Sequence, residues 1–220
     1  SEYEAKTLLH AFGLPVAETV IASSRDQAVA AAEKLGFPVV IKIHSPDITH
    51  KSDVGGVRLD LQNSAMVATA FDDMLAHVRE LKPQARIVGV TVQPMLRFDE
   101  AREVLIGVAT DPLFGPVISF GAGGVAVEVL HDIAVALPPL DSALADDLIR
   151  RTRINNLLQH YRNVPAADLA GLSGLLVRIS ELLSVLPWIS EMDLNPVLVH
   201  PGGVAVVDAR IVIDSKSIPY

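Results

Sequence analysis

The spacing of apolar residues along the first 95 positions changes repeatedly between the helical period and short apolar runs. Gly13 and Gly36 follow helical stretches, as glycine often does at a helix end, and Ser24 is a residue type that favours an N-cap. The unbroken run "VVIKI" is typical of a central strand. The pattern predicts helices over residues 3–12, 25–35 and 65–81, alternating with strands at "ETVIAS", "VVIKI", "GVRLDL" and "ARIVGVTVQPM".

The pattern changes after residue 103, where apolar β-rich runs predominate. Two such runs in "EVLIGVATDPLFGPVISFGAGGVAVEVL" are joined by Asp111-Pro112, a turn signal that predicts an antiparallel hairpin. Helices are predicted over 142–148 and 169–186, and two strands around a Pro-Gly-Gly turn in "ISEMDLNPVLVHPGGVAVVDARIVI". We therefore predict one α+β domain over residues 1–220, with a smaller first lobe over about 15–95 and a second over about 96–220.

Composition excludes several classes of partner. Half of the 220 residues are hydrophobic, but the longest charge-free run, 113–127, contains four glycines and is shorter than the roughly 20 residues of a membrane helix, so we expect no membrane partner. A net charge of -8 without a Lys/Arg cluster argues against nucleic acid. Without cysteine or a leader pattern, we expect a cytoplasmic location. A start at Ser1 within a helical pattern suggests a piece of a longer multidomain polypeptide.

Lys42 lies inside the predicted central strand, where a charged group is costly to bury. One interpretation is that its ammonium faces a cleft that holds an anion. The other is that the strand lies at a sheet edge and Lys42 extends its amine into solvent. The loop that follows favours the first interpretation.

That loop, "HKSDVGG", ends in Gly55 and Gly56. A glycine pair allows the backbone to approach a ligand closely and to direct N–H groups at phosphate oxygens, although a tight turn explains the pair equally well. Neither a Walker A loop nor a GxGxxG motif occurs, so nucleotide binding requires another fold.

A second polar group lies near the end of the chain. Alternation places Glu191, Asp193 and Asn195 on one strand face, and the returning strand brings Asp208 near Asn195. Oxygen ligands from neighbouring strands, completed by water and phosphate, suit Mg²⁺. The alternative is a polar solvent face, but Asp208 lies within the apolar run "VAVVDARIVI", where a bare carboxylate is costly.

His50 has two interpretations as well. An imidazole can accept a phosphoryl group covalently and so divide a transfer into two steps, whereas a histidine in a polar loop needs no special role. From the bare sequence the loop interpretation is favoured. The remaining histidines show no metal-ligand or triad spacing.

Three segments, "FPVVIKIHSPDITHKSDVGGV", "ATDPLFGPVISFGAGGVAVEVL" and "EMDLNPVLV", resemble the ATP-grasp domain of ADP-forming acyl-CoA (acetyl-CoA) synthetases, which are relatives of the succinyl-CoA synthetase beta subunit. The resemblance covers essentially the whole chain. It implies an ATP-grasp fold, in which two α/β lobes have a nucleotide cleft between them, and it implies ATP or ADP and Mg²⁺ as cofactors.

The resemblance assigns nucleotide contacts in the first lobe. Lys42 matches the strand lysine that contacts nucleotide phosphates, and Gly55 and Gly56 match the glycine-rich loop that folds over them. The family's hinge, where the adenine lies, corresponds to Gln93, Pro94 and Met95.

The resemblance also assigns the catalytic and metal groups. Glu103 matches the glutamate of the family's E-L-hydrophobic-V-G-V motif. Asn195 and Asp208 match magnesium ligands, Asp193 matches the acid that steadies a phosphohistidine, and His50 lies in the loop that carries a phosphoryl-accepting histidine. This makes the catalytic interpretation of His50 the favoured one. The chain departs from the family at Asn163, where the family tends to have glycine.

The implied function is transfer of a phosphoryl group between a phosphohistidine and Mg-ADP or Mg-ATP, within an ADP-forming acid-CoA ligase. The expected partners are the nucleotide and the CoA-binding and ligase domains, in the same protein or in a partner subunit. The fragment by itself should make no acyl-CoA. The alternative is a regulatory synthetase-like domain of an acetyl-CoA-dependent protein lysine acetyltransferase. A purely structural subunit is disfavoured by charged residues within strands.

Overall fold

The computed structural model describes residues 1–48, 50–98, 100–124, 132–160 and 164–214. These residues form two compact units. Unit 1 contains Ser1, Tyr3 and residues 17–96, and unit 2 contains Glu2, residues 4–16 and the chain from Arg97 onward. The Asn163 position named above lies outside the described residues.

Unit 1 is an antiparallel four-stranded sheet with two helices packed against one face. The elements are β1 (Val20–Ala22), α2 (Arg25–Leu35), β2 (Val39–His44), a 3₁₀ turn (Ser52–Val54), β3 (Val57–Leu61), α3 (Ser64–Leu81) and β4 (Gly89–Pro94). The strand order is β1-β4-β2-β3, so β2 is an interior strand. Ser24 and Asn63 accept backbone N–H bonds as the N-caps of the two helices.

Unit 2 is a six-stranded antiparallel sheet covered by helices on its core face. The elements are α1 (Glu2–Ala11), β5 (Arg102–Asp111), β6 (Gly115–Ala122), β7 (Ile133–Ala136), α4 (Ser142–Arg150), α5 (Asn155–Leu158), α6 (Leu169–Val185), β8 (Ile189–His200), β9 (Gly203–Val206) and β10 (Arg210–Ile213). The strand order is β10-β8-β5-β6-β7, and β9 also pairs with β8. Fully buried Phe120 and Leu194 pack in a core with Leu175 and Leu9 from the helices.

The predicted α+β class is confirmed, and so is the hairpin at Asp111-Pro112, which β5 and β6 form. The sequence did not predict β7 or α5. Strand β7 lacks polar alternation because Ile133 and Val135 are apolar yet exposed, so its pattern does not stand out. The last apolar run is broken into β9 and β10, with Asp208 in the break. None of the helices in the described part of the chain combines the length and the apolar character that a membrane span requires.

Candidate functional site

Lys42 lies at the middle of an interior strand and is only 6% exposed. Neighbouring strands flank it on both sides, with Val57 of β3 and Thr91 of β4 in register. The edge-strand interpretation is therefore wrong, because β2 has no free edge at this position. Lys42 also interacts with other groups of the protein. A bare ammonium is costly to bury, so this position calls for an anion or a polar partner near the side chain.

The sheet face that carries Lys42 is polar although it is buried. Along β2 and β4 every second side chain belongs to the core that packs against the helices. The residues between them, Lys42, Thr91 and Gln93, therefore lie on the opposite face of the sheet. Thr91 and Gln93 are each only 1% exposed. Buried polar side chains collected on one sheet face are typical of a binding surface. The predicted hinge residues Pro94 and Met95 follow directly and are half-buried.

The glycine pair closes a tight turn. The Gly55 N–H donates to the Ser52 carbonyl at 3.0 Å, and the Gly56 N–H donates to the Lys51 carbonyl at 2.7 Å. A Cβ on Gly56 would lie 2.5 Å from the Ile43 side chain, so a larger residue does not fit. Both amides donate hydrogen bonds inside the loop. The arrangement considered above, in which these N–H groups point at phosphate oxygens, is therefore not the one observed.

His50 lies in the same loop, just before the 3₁₀ turn, and it is exposed. The loop is attached to the rest of unit 1 on both sides of His50. Upstream, the Asp47 carboxylate accepts the Arg86 backbone N–H at 2.6 Å. Downstream, Gly55 lies against the imidazole of His77 on α3. An exposed imidazole on an anchored loop can meet a reactant, but its role as a phosphoryl acceptor stays a prediction.

In unit 2 a bulge in β8 determines which side chains leave the core. Met192 and Leu194 are buried, and so are Val197 and Val199. The buried positions thus change from even to odd residue numbers, which a regular strand does not allow. The register of β8 against β5 shifts by one residue at this point, so the bulge lies at Asn195 and Pro196. A bulge re-aims the side chains next to it, and here those are the predicted ligands.

Asp208 lies opposite Asn195, as the alternation pattern predicted. Val206 pairs with Val197 in β9, and Arg210 pairs with Asp193 in β10, so the two returning strands keep one register against β8. Asp208 is half-buried in the break between those strands. Its carboxylate therefore lies among the predicted ligands rather than inside the hydrophobic core.

Asp193 and Asp208 interact electrostatically. Asp193 as a whole is exposed, but its carboxyl group is partly removed from water, and this desolvation raises the pKa of Asp193. The negative charge of Asp208 raises that pKa further. The positive charge of Arg210 opposes both effects. Two carboxylates that repel each other favour a cation between them or a proton on one of them.

Gly124 is a member of this group that the sequence reasoning did not select. Its N–H donates to the Asn195 side-chain oxygen at 2.9 Å, and its positive φ of 63° suits glycine. A Cβ on Gly124 would collide with the Glu103 carboxylate, which places Glu103 at the same site. The double glycine at the end of "FGAGG" was the signal that could have indicated this close approach.

A small open pocket of about 160 Å³ adjoins Asp193 on the outer face of the sheet. Glu191 and Arg210 line it and form an exposed ion pair at 4.0 Å, a geometry that contributes little to stability. Arg210 was also missed, because an arginine in a terminal strand has no spacing signal. Asp193 lines this pocket and is exposed.

This set of oxygen ligands suits Mg²⁺, which keeps water in its coordination shell, better than it suits a metal ion held by protein side chains alone. Across the described ranges, no group of three His, Cys, Asp or Glu side chains is placed to hold a metal ion. The two predicted ligands, Asp208 and the Asn195 amide, supply one carboxylate and one carbonyl. The Asn195 oxygen keeps a second lone pair beside its bond to Gly124. Mg²⁺ commonly takes one or two carboxylates and completes its shell with water and phosphate.

The structure thus brings together Glu103, Asp193, Asn195 and Asp208 in unit 2. In unit 1 it places Lys42 and Gln93 on one face. His50, Gly55 and Gly56 share one loop, which leads into β3 beside Lys42.

Comparisons with known proteins give consistent matches. A family model described as an ATP-grasp domain matches residues 1–213. The chain is 42% identical over 213 residues to acetate–CoA ligase [ADP-forming] I of Archaeoglobus fulgidus, covering 97% of this chain but only 31% of that ligase. It is 36% identical to the beta subunit of acetate–CoA ligase [ADP-forming] I of Pyrococcus furiosus, covering 96% of this chain and 90% of that subunit.

Among solved structures, the chain resembles dinucleotide-forming acetyl-coenzyme A synthetase 1 of Ca. Korarchaeum cryptofilum. The complex with coenzyme A, Ca-AMPCP and HgCl⁺ superposes with a TM-score of 0.92 at 38% identity, covering 97% of this chain and 92% of that one. A second complex of that synthetase contains coenzyme A and Mg-AMPPCP, with its phosphohistidine segment pointing towards the nucleotide binding site. That match has a TM-score of 0.83 at 34% identity, over 97% of this chain and 92% of the other.

Proposed function

This chain belongs to the ATP-grasp family, and from that membership we propose that it is the nucleotide-binding domain of an ADP-forming acyl-CoA ligase. It transfers a phosphoryl group between a phosphohistidine and Mg-bound ADP or ATP. The observation that carries the proposal is the group formed by Asp193, Asn195 and Asp208, in which oxygen ligands from neighbouring strands gather beside an open pocket. Acetate, the acid named for the relatives, is the first substrate to test.

The side chains of this domain have separable roles in that transfer. Lys42 neutralises phosphate charge, which lowers the repulsion that the γ-phosphoryl group meets when it moves. Gln93, Pro94 and Met95 hold the base, and Glu103 contacts the nucleotide. Asn195 and Asp208 would hold Mg²⁺, and the ion would supply positive charge that offsets the negative charge of the phosphate oxygens.

Asp193 is a positioning residue for the phosphohistidine. Its carboxylate accepts the N–H of the imidazole on the ring nitrogen that does not carry phosphate, and this fixes the ring orientation. In the ATP-forming direction the P–N bond of the phosphohistidine breaks, and a bond forms from phosphorus to a terminal oxygen of ADP. The electron pair of that P–N bond returns to the ring, and the imidazole leaves as the neutral base because its other nitrogen keeps the proton that it donates to Asp193.

His50 relays the phosphoryl group within the domain, because an exposed loop imidazole can receive it from a carrier and pass it to the nucleotide. The complete protein would then convert acyl-CoA, phosphate and ADP to acid, CoA and ATP. The chain spans 31% of the Archaeoglobus ligase, so the CoA-binding and ligase domains are expected in the remaining sequence or in a partner subunit. A phosphohistidine segment from that remainder approaches Asp193.

The regulatory alternative has no specific support here. The relatives reported above are ligases and synthetases rather than acetyltransferases. The intact set of Lys42, Asp193, Asn195 and Asp208 is the set that a working nucleotide site requires.

Calorimetric titration of the complete protein with ADP, in the presence and absence of Mg²⁺, tests the proposal. We expect binding that depends on Mg²⁺, and at least about a tenfold weaker Mg-dependent affinity in Asp208→Asn, since one charged ligand is lost. Asp146→Asn, an exposed carboxylate on α4, is the matched control and should bind as the unsubstituted protein does. Absence of Mg-dependent ADP binding in the unsubstituted protein would contradict the proposal.

A further inference from the structure

The tip of the β5–β6 hairpin exposes two large apolar side chains. Leu113 is 88% exposed and Phe114 is 66% exposed, more than the other exposed large hydrophobic residues in the described part of the chain. Single exposed apolar residues are normal, but two adjacent ones at the end of a long hairpin form a protruding contact surface. Nothing in the nucleotide chemistry above uses them.

The tip is rigidly built. One carboxylate oxygen of Asp111 accepts the backbone N–H of Leu113 at 2.8 Å and that of Phe114 at 3.0 Å. Gly115 then turns the chain with a φ of 76°. A fixed backbone loses little conformational freedom on binding, so it presents the two side chains ready for a partner.

Register places further apolar side chains at the same end of the sheet. Leu137 follows β7 at the level of the start of β6 and is 48% exposed, and Ile213 at the end of β10 is 46% exposed. We call Leu113, Phe114, Leu137 and Ile213 the distal patch. The pocket beside Asp193 begins at this end, because Ala109 and Val212, which line it, lie only a few residues from the tip and from Ile213.

We propose that the distal patch is the docking surface for the CoA-binding part of the ligase, which carries the phosphohistidine segment. This inference rests on the proposed function, in which such a segment must approach Asp193 from outside this chain. A partner seated on the distal patch can extend that segment along the pocket, past Glu191 and Arg210, to Asp193. The tip holds the carrier near the pocket and takes no part in the chemistry.

The relatives favour this occupant over a second copy of the chain. The match covers 31% of a single-chain ligase, so a large remainder accompanies this domain there, and it covers 90% of a separate subunit whose name, beta, implies a second kind of subunit. A second copy would bring together two chains of net charge -8, which opposes self-association. It would also bring no carrier segment to the pocket.

Cysteine labelling in the complete ligase tests the docking. The chain has no cysteine, so Leu113→Cys introduces a single thiol in this domain, and mapping by mass spectrometry separates it from thiols elsewhere. Leu81→Cys at the end of α3 is the control, because Leu81 is 51% exposed. The tip is the more exposed of the two in this chain. If the patch is covered, its thiol reacts with maleimide at least about tenfold more slowly than the control thiol; equal or faster labelling at position 113 overturns the inference.

A photo-reactive maleimide attached at position 113 identifies the occupant. Cross-links to peptides of the CoA-binding part support the proposal, whereas cross-links only to a second copy of this domain overturn it. The double variant Leu113→Ser, Phe114→Ser should lower acyl-CoA turnover by about tenfold or more while Mg-ADP affinity stays unchanged, and Leu81→Ser should change neither. Absence of Mg-ADP binding in the unsubstituted protein would instead refute the nucleotide function. Failure of the docking proposal and failure of the proposed function are therefore distinguishable.

Discussion

Lys42→Met distinguishes a lysine that binds phosphate from one that only supports the fold. Lys42 is 6% exposed at the centre of β2, on the sheet face that also carries buried Thr91 and Gln93. Methionine keeps an unbranched chain of similar length in the strand and removes only the positive charge. We expect a large loss of stabilisation by nucleotide, measured against the stability of the same variant without ligand.

The magnitude follows from one lost charge-assisted hydrogen bond. Such a bond contributes about 1.5–3 kcal/mol, and a loss of about 2 kcal/mol weakens Mg-ADP binding by about 30-fold. At a ligand concentration of about 100 times the dissociation constant, nucleotide stabilises the native state by about 2.7 kcal/mol. After a 30-fold loss of affinity, about 0.9 kcal/mol remains by the same relation.

Thermal unfolding with and without Mg-ADP measures this difference. For a domain of this size about 1 kcal/mol corresponds to roughly 2–4 °C, so the ligand-induced shift in Tm should fall from roughly 5–11 °C to roughly 2–4 °C. Lys34→Met on α2 is the matched control, because Lys34 is an exposed lysine of the same unit. It should retain the full shift.

Two results would refute the reasoning. An unchanged Mg-ADP shift in Lys42→Met would show that this charge does not meet phosphate. A large fall in Tm without ligand, with the nucleotide shift intact, would show that Lys42 is a structural residue whose internal partners account for its burial.

The remaining predictions concern the histidine loop, the carboxylates and the glycines. His50→Ala in the complete protein should abolish ATP/ADP exchange with little change in Mg-ADP affinity, and retained exchange would exclude the relay. The pKa of Asp193 is raised in the folded state, so its charged form opposes folding at neutral pH. Asp193→Asn should therefore raise the free energy of unfolding at neutral pH, and this gain should vanish as the pH falls below the ordinary pKa of a carboxyl group. Denaturant titration across pH can check this. Gly56→Ala should destabilise the protein by about 1–3 kcal/mol through the clash with Ile43. Gly174→Ala on the open face of α6 should stabilise the protein by about 0.5–1 kcal/mol. Urea unfolding measures both changes, and equal effects of the two substitutions would contradict the packing argument.

Much of the secondary structure could be predicted because its causes are local. The N-cap at Ser24 and the turn at Asp111-Pro112 are encoded by side chains within a few residues of the backbone groups they affect. The interior position of β2 followed from its unbroken apolar run, since only a strand covered on both faces tolerates such a run. Strand β7 escaped prediction because its exposed residues are apolar, and that exposure depends on its position at the sheet edge.

The candidate site was only partly readable from sequence. Alternation along β8 placed Asp193 with Asn195, and the length of the returning run brought Asp208 near them. The involvement of Gly124 could not be derived in this way, because it arrives from the end of β6, about 70 residues earlier in the chain, and its approach depends on the order of strands in the sheet.

The sequence by itself determined the residue types of this protein and their local order: a lysine within an apolar strand, a glycine pair that closes a turn, and two acids and an asparagine at alternate positions near the end. Tertiary structure alone decided that the Gly55 and Gly56 amides bond within their own loop and that the β8 bulge lies at Asn195. Local patterns follow from backbone geometry over a few residues. Register, bulges and the use of each N–H depend on which distant strands pair, and pairing is settled only when the whole sheet forms.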